Sequence, residues 1–132
     1  MRVLLADDSG LILERLQEMV GMHKQAEIVG SYKNGSHTLE ALISLKPDLA
    51  IVDIKMPGLT GLEVLNEIRK VNKTVIFIIL TLYSYDHYRQ MAIQSGVDYF
   101  FNKADDFDKI SQVVAEMILK EENENRNLLA CN

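Results

Sequence analysis

The chain has 132 residues, 48% of them hydrophobic and 25% charged, with a formal net charge of −5. That is one soluble globular domain with room for a real core, and its acidic balance argues against a general nucleic-acid or anionic-membrane surface. The single cysteine, Cys131, leaves no disulfide framework within one chain, and Met1-Arg2-Val3-Leu4 runs into Asp7-Asp8 without a signal peptide. The longest apolar run, Val75 to Leu80, is far below a membrane span, so a cytoplasmic location is expected.

Strand-like and helix-like patterns alternate along the chain. Residues 2–6 read as a strand. From Ser9 to about His23, Leu13, Leu16, Met19 and Val20 recur at helical spacing, with Ser9 as the N-cap. Residues 27–31 form a weaker strand pattern, and 36–45 reads as a helix turning Leu39, Leu42 and Ile43 inward. Pro47 closes that helix, because the residue before proline avoids the right-handed α region, and a strand over 49–53 follows. Met56-Pro57-Gly58-Leu59-Thr60-Gly61 is a turn-rich loop before a third helix marked by Leu62, Leu65 and Ile68. A strand over 75–80, a helix around 85–95 stopped by Gly96, and a strand over 98–101 come next. The last helix starts near Asp105 or Asp106 and carries Phe107, Ile110, Val114 and Met117. After about Lys120 the apolar stripe gives way to Glu121-Glu122-Asn123-Glu124-Asn125-Arg126-Asn127. Residues 1–120 are therefore expected to form the domain, and 121–132 a polar helix extension or tail. Leu128-Leu129-Ala130 could dock on the domain or on a partner.

Five strands alternating with five helices imply an α/β, doubly wound parallel sheet with right-handed crossovers and helices on both faces. Short continuous apolar runs bounded by polar residues fit strands buried on both faces, and in open sheets of this kind ligands bind at the carboxyl ends of the strands. Asp7-Asp8 follows the first run, Asp53 the third, Thr81 the fourth and Lys103 the fifth. Three carboxylates, one hydroxyl and one ammonium thus belong on one rim, which is the inventory for a divalent cation and a phosphoryl group. A carboxylate is a competent nucleophile toward phosphorus and gives an acyl phosphate. Crowding three carboxylates against a phosphoryl group demands a cation, and Mg²⁺, or else Mn²⁺, suits carboxylates, waters and phosphate oxygens. Lys103 adds a point charge, as phosphoryl transfer requires. The sequence has no P-loop to hold a nucleoside triphosphate.

The stretches Leu5-Ala6-Asp7-Asp8-Ser9, Val52-Asp53-Ile54-Lys55-Met56-Pro57-Gly58-Leu59-Thr60-Gly61, Leu80-Thr81 and Phe101-Asn102-Lys103 resemble the receiver domains of two-component response regulators, over roughly residues 2–120. The resemblance implies a five-stranded flavodoxin-like sheet of order 2-1-3-4-5, similar to the chemotaxis regulators. It makes Asp53 the phosphoacceptor. Asp8 would bind the metal directly and Asp7 through a water, with Asp53 and the backbone carbonyl of Lys55 as further ligands. Thr81 would be the hydroxyl that moves onto a phosphoryl oxygen, Lys103 its ammonium partner, and Phe100 either the aromatic switch or a core residue. Lys55 and Tyr83, two positions after Asp53 and Thr81, would either border the path of the hydrolytic water and tune the rate or be solvated surface residues. The donor would be phosphohistidine on a sensor histidine kinase or phosphotransfer protein, with a protein target downstream and no direct contact with nucleic acid or membrane. The chain would be a monomer or a phosphorylation-dependent dimer. It would not be a conventional enzyme, but would catalyse its own phosphorylation and dephosphorylation.

One departure stands out. Ala104 follows Lys103 where most receivers have a cis-proline, and a cis bond without proline costs about 2.5–4 kcal/mol, so a trans peptide is expected. Two other readings stay open. An aspartyl-phosphate phosphohydrolase would carry a second acid two residues after its nucleophile, where this chain has Lys55. A phosphate-independent interaction module on the same fold would have lost an acid or the lysine, and none is lost. The chain is a stand-alone regulator or a fragment, with Met1 and the tail favouring the former. His23, His37 and His87 lack metal-ligand spacing and read as surface residues. Tyr83, Tyr85 and Tyr88 form either a docking patch or half-buried helix packing.

Overall fold

The computed structural model describes residues 1–83 and 85–130, so Cys131 lies outside the described residues. The elements are β1 (Arg2–Ala6), α1 (Gly10–Gly21), β2 (Glu27–Tyr32), α2 (Gly35–Leu45), β3 (Leu49–Val52), α3 (Gly61–Ile68), β4 (Ile76–Thr81), α4 (Asp86–Gln94), β5 (Tyr99–Asn102) and α5 (Phe107–Ala130). All strand pairings are parallel and the sheet order is β2-β1-β3-β4-β5, the expected flavodoxin-like arrangement.

Alternation within the central strands splits the interior into two layers. On one face Leu4, Ala50, Val52, Phe77 and Ile79 pack with Leu42 of α2, Leu62, Leu65 and Ile68 of α3, and Ala92 of α4. On the other, Val3, Leu5, Ile51, Ile78 and Leu80 pack with Leu13, Leu16 and Val20 of α1 and with Ile110, Val113 and Val114 of α5. Caps set the helix starts. The Ser9 side chain accepts from the Ile12 N–H, and Thr60 and Glu63 form a reciprocal capping box on α3.

Two expectations shift. Helix α2 is rotated from the predicted face: Ile43 is 50% exposed, while Thr38, Ala41 and Leu42 are buried. Small side chains at 38 and 41 let the helix axis approach the sheet, and the pattern of larger aliphatics pointed one position too far. In α5 the core positions are Val113 and Ile118 beside Phe107, Ile110 and Val114, with Met117 only partly buried. The same helix continues unbroken through the polar stretch to Ala130. Before Pro47, Lys46 adopts the left-handed conformation at φ 48°, and the Arg2 guanidinium donates to the carbonyls of Leu45 and Lys46 at the end of α2. No helix among the described residues is long and apolar enough to cross a membrane.

Candidate functional site

The sheet delivers the predicted residues to one edge because each stands at or just after a strand end. Asp7 follows β1, and its N–H donates to the Tyr32 carbonyl at 3.0 Å, so it continues the ladder with β2. Asp53 follows β3 and donates its N–H to the Ala6 carbonyl at 3.0 Å. Lys103 follows β5 and donates its N–H to the Thr81 carbonyl at 3.0 Å. Backbone pairing therefore runs one residue past the strand ends and fixes where these side chains begin.

The side chains converge. The Lys103 ammonium lies 2.6 Å from Asp7 Oδ2 and 2.9 Å from Asp53 Oδ2. The other oxygens are held by backbone: Asp7 Oδ1 accepts the Ser9 N–H at 2.9 Å, and Asp53 Oδ1 accepts the Ile54 N–H at 2.7 Å. One oxygen from each of Asp7, Asp8 and Asp53 lies within 4.8 Å of the others, with Asp7 and Asp53 buried and Asp8 exposed. Such a set of hard oxygen donors, one of them open to solvent, fits a small divalent cation. Burial pushes the Asp7 carboxyl above its ordinary range, and the Asp53 charge adds to this against the hydrogen bonds from Lys103 and the Ser9 N–H. Burial works to lower the Lys103 pKa, but its hydrogen bonds to Asp7 and Asp53 and their charges outweigh that and leave it raised.

The loop after Asp53 is built around close approaches. A Cβ on Gly61 would stand 2.1 Å from the Asp53 carbonyl oxygen, so only glycine lets the start of α3 lie against the backbone of the site. Gly58, at φ 78°, turns the chain ahead of it. On the other side of the site, Asn102 Oδ1 accepts the N–H groups of Ala104 and Asp105, and Asp106 accepts the Asn102 N–H at 3.0 Å. This side-chain turn carries β5 into α5 without proline, and no described peptide bond is cis.

The remaining predicted residues take definite places. The Thr81 hydroxyl is fully buried at the end of β4 and accepts the Tyr83 N–H at 3.1 Å. Phe100 is buried in the core beneath α4, with the Arg89 guanidinium 4.7 Å above its ring centroid. The exposed Lys55 side chain rests over the Tyr83 ring, its Nζ 5.2 Å from the centroid. Asp8, Asp53, Lys55, Tyr83 and Lys103 line a common cleft of about 430 Å³, together with Leu11, Ile12 and Arg15 of α1. The sequence reading passed over Arg15. The available signal was its place one helical turn beyond Leu11 on the helix that follows the acid pair.

Of the other residues singled out, His23 bonds Ser111 at 2.9 Å and His37 bonds Asn34 at 2.9 Å. His87 lies among Tyr85 and Tyr88, 4.1 Å from the Tyr88 ring. Tyr85 is exposed and Tyr88 half-buried.

Known proteins share this architecture. The receiver domain of AraT, a response regulator from Geobacillus stearothermophilus, superposes with a TM-score of 0.80 at 30% identity, covering 94% of this chain and 97% of that one. The response regulator domain of Thermotoga maritima CheB gives 0.79 at 28% identity, covering 93% and 96%. Among longer relatives, the transcriptional regulatory protein DesR of Bacillus subtilis is 28% identical over 116 residues, which are 88% of this chain and 57% of DesR. A protein-glutamate methylesterase/protein-glutamine glutaminase of Carboxydothermus hydrogenoformans is 30% identical over 118 residues, 89% of this chain and 35% of that enzyme. The chain thus spans only a third to three fifths of the length of such relatives. What they share with it is the unit described above: residues 3–115 match the response regulator receiver domain, and the chain belongs to that family.

Proposed function

We propose that this receiver domain accepts a phosphoryl group on Asp53 from the phosphohistidine of a sensor kinase or phosphotransfer protein, and that the product state alters the surface it offers to a protein target. The observation that carries this reading is the convergence of Asp53, Asp7, Asp8 and Lys103 at one edge of the sheet, three of them lining a cleft. In the transfer, an Asp53 carboxylate oxygen attacks phosphorus, the bond from phosphorus to the donor nitrogen breaks, and the imidazole leaves with its electron pair. Asp8, Asp7, Asp53 and the Lys55 carbonyl would hold Mg²⁺, which when bound offsets the negative charge of the phosphoryl oxygens. Lys103 holds Asp53 in place and is within reach to pair with a phosphoryl oxygen. The Thr81 hydroxyl now accepts the Tyr83 N–H; turning it to a phosphoryl oxygen releases that backbone bond and loosens the segment before α4. Phe100 on the neighbouring strand is the side chain placed to answer such a shift.

The test is intact-mass measurement after incubation with Mg²⁺ and acetyl phosphate. One phosphoryl group per chain is expected, lost in Asp53→Asn and in excess chelator. Full labelling of the variant, or labelling in chelator, would show that the acceptor is elsewhere.

A further inference from the structure

The cleft that contains Asp53 is walled on two sides by cations laid on aromatic rings. On one side is Lys55 over Tyr83. On the other, the Arg15 guanidinium of α1 lies 4.2 Å from the centroid of Phe107, the first residue of α5. Arg15 is exposed and makes no ion pair among the described residues. Lys103 is committed to two carboxylates, so Arg15 is the cation on its wall of the cleft with its full donor set available. Stacking on Phe107 restricts the long side chain and so reduces the entropy lost when the guanidinium engages a ligand.

In-line attack by Asp53 puts the donor's leaving group on the outward side of the phosphorus, toward the cleft mouth. The chemistry of that group differs between donors. When the donor is an acyl phosphate, the phosphorus–oxygen bond breaks, the electron pair goes to the acyl oxygen, and a carboxylate departs with a full negative charge and no need of a proton. When the donor is phosphoramidate, the nitrogen is already protonated and departs as neutral ammonia. A cation at the mouth stabilises the first departure and gives nothing to the second. We propose that Arg15 receives the oxyanion leaving group of acyl-phosphate donors and so sets the preference among small-molecule donors, for acyl phosphates over phosphoramidate. The inference rests on Asp53 being the acceptor, and it assigns Arg15 as a specificity-determining residue for that step.

The experiment compares labelling rates with acetyl phosphate and with phosphoramidate, in Mg²⁺, for the full chain and for Arg15→Gln. Arg15 is exposed, so the substitution leaves the core untouched. The ratio of the acetyl phosphate rate to the phosphoramidate rate is expected to fall roughly fivefold, the scale of one solvent-accessible ion pair. Arg15→Lys should recover part of it. Phe107→Leu, which removes the ring beneath the guanidinium, should lower the same ratio. Arg126→Gln changes net charge equally on the α5 extension and should leave the ratio alone. An unchanged ratio in Arg15→Gln, or an equal fall in Arg126→Gln, overturns the assignment while Asp53 stays the acceptor. Failure of both donors to label the wild type overturns the acceptor reading and this one together.

Discussion

Lys103 bridges two carboxylates with one ammonium, and a third carboxylate stands beside them, so the three acids outnumber the ammonium they share. Replacing Asp53 with Asn leaves Lys103 paired to Asp7 at 2.6 Å and removes one of three crowded charges. In chelator the Asp53→Asn protein should therefore melt about 3 °C higher than wild type, a shift readable by scanning calorimetry. An equal or lower midpoint would mean that the lost ion pair outweighs the relieved repulsion. Tyr83 offers a second test at this scale. Its ring lies under Lys55 on the rim of the cleft, and on the proposed reading its apolar body would shield the acyl phosphate from water. Slow self-dephosphorylation is therefore expected of the wild type. Tyr83→Ala should shorten the phosphorylated lifetime about threefold, less than 1 kcal/mol of barrier, measured by decay after the donor is removed. A lifetime as long as wild type would dismiss the shielding argument.

Among the elements, the join between α3, β4 and β5 depends on one side chain. The Arg69 guanidinium, 13% exposed, donates to the carbonyls of Gly96 at 3.0 Å and Val75 at 2.8 Å and pairs with Asp98 at 2.9 Å. Asp98 in turn accepts the Phe77 N–H that opens β4. Arg69→Ala would strand three carbonyls, those of Asn72, Val75 and Gly96, and an acid, and should cost about 2–3 kcal/mol in urea unfolding. Arg69→Lys should recover little, because a point charge cannot replace the planar fork. Nothing in the local sequence announces this residue, since a surface helix normally ends in a basic side chain. The Asp and Lys positions of the site were legible for the opposite reason: each interrupts an apolar run at a strand end, where burial makes a charge conspicuous. The strands were legible because continuous runs such as Val75 to Leu80 can only be buried on both faces. The inward face of α2 was legible at Leu39 and Leu42 but not in full, since Thr38 and Ala41 are core residues by size and not by hydrophobicity.

For the molecule as a whole, the two apolar layers meet only through the sheet, and the candidate site lies at the sheet edge they share. Side chains from β1, β3 and β5 are held there by backbone pairing that starts in the core. This explains why the predicted convergence could be read from strand order alone, while the orientation of Thr81 toward Tyr83 could not: it depends on a turn beyond the strand. Ligand binding should stabilise the entire domain accordingly. Mg²⁺ added to metal-free wild type should raise the melting temperature in proportion to the logarithm of its concentration once the site is saturated, and Asp8→Asn should flatten that response. A full response in the variant would place the ion elsewhere.

The ladder that seats Asp53 against Ala6, and Lys103 against Thr81, also sets when during biosynthesis the domain becomes competent to receive a signal. Asp53 and Lys103 are 50 residues apart, and every pairing of the sheet is parallel, closed by a long crossover. Long loops make such pairings late events in folding. A nascent chain emerging from the ribosome displays Asp7, Asp8 and Asp53 well before Lys103 is made, and the acids alone repel an incoming phosphodianion. On the proposed reading, incomplete chains would not accept a phosphoryl group. In refolding from urea, capacity for labelling should match or trail the recovery of circular dichroism and never lead it. Early labelling would show that the acids form a working site before the last strand has joined the sheet.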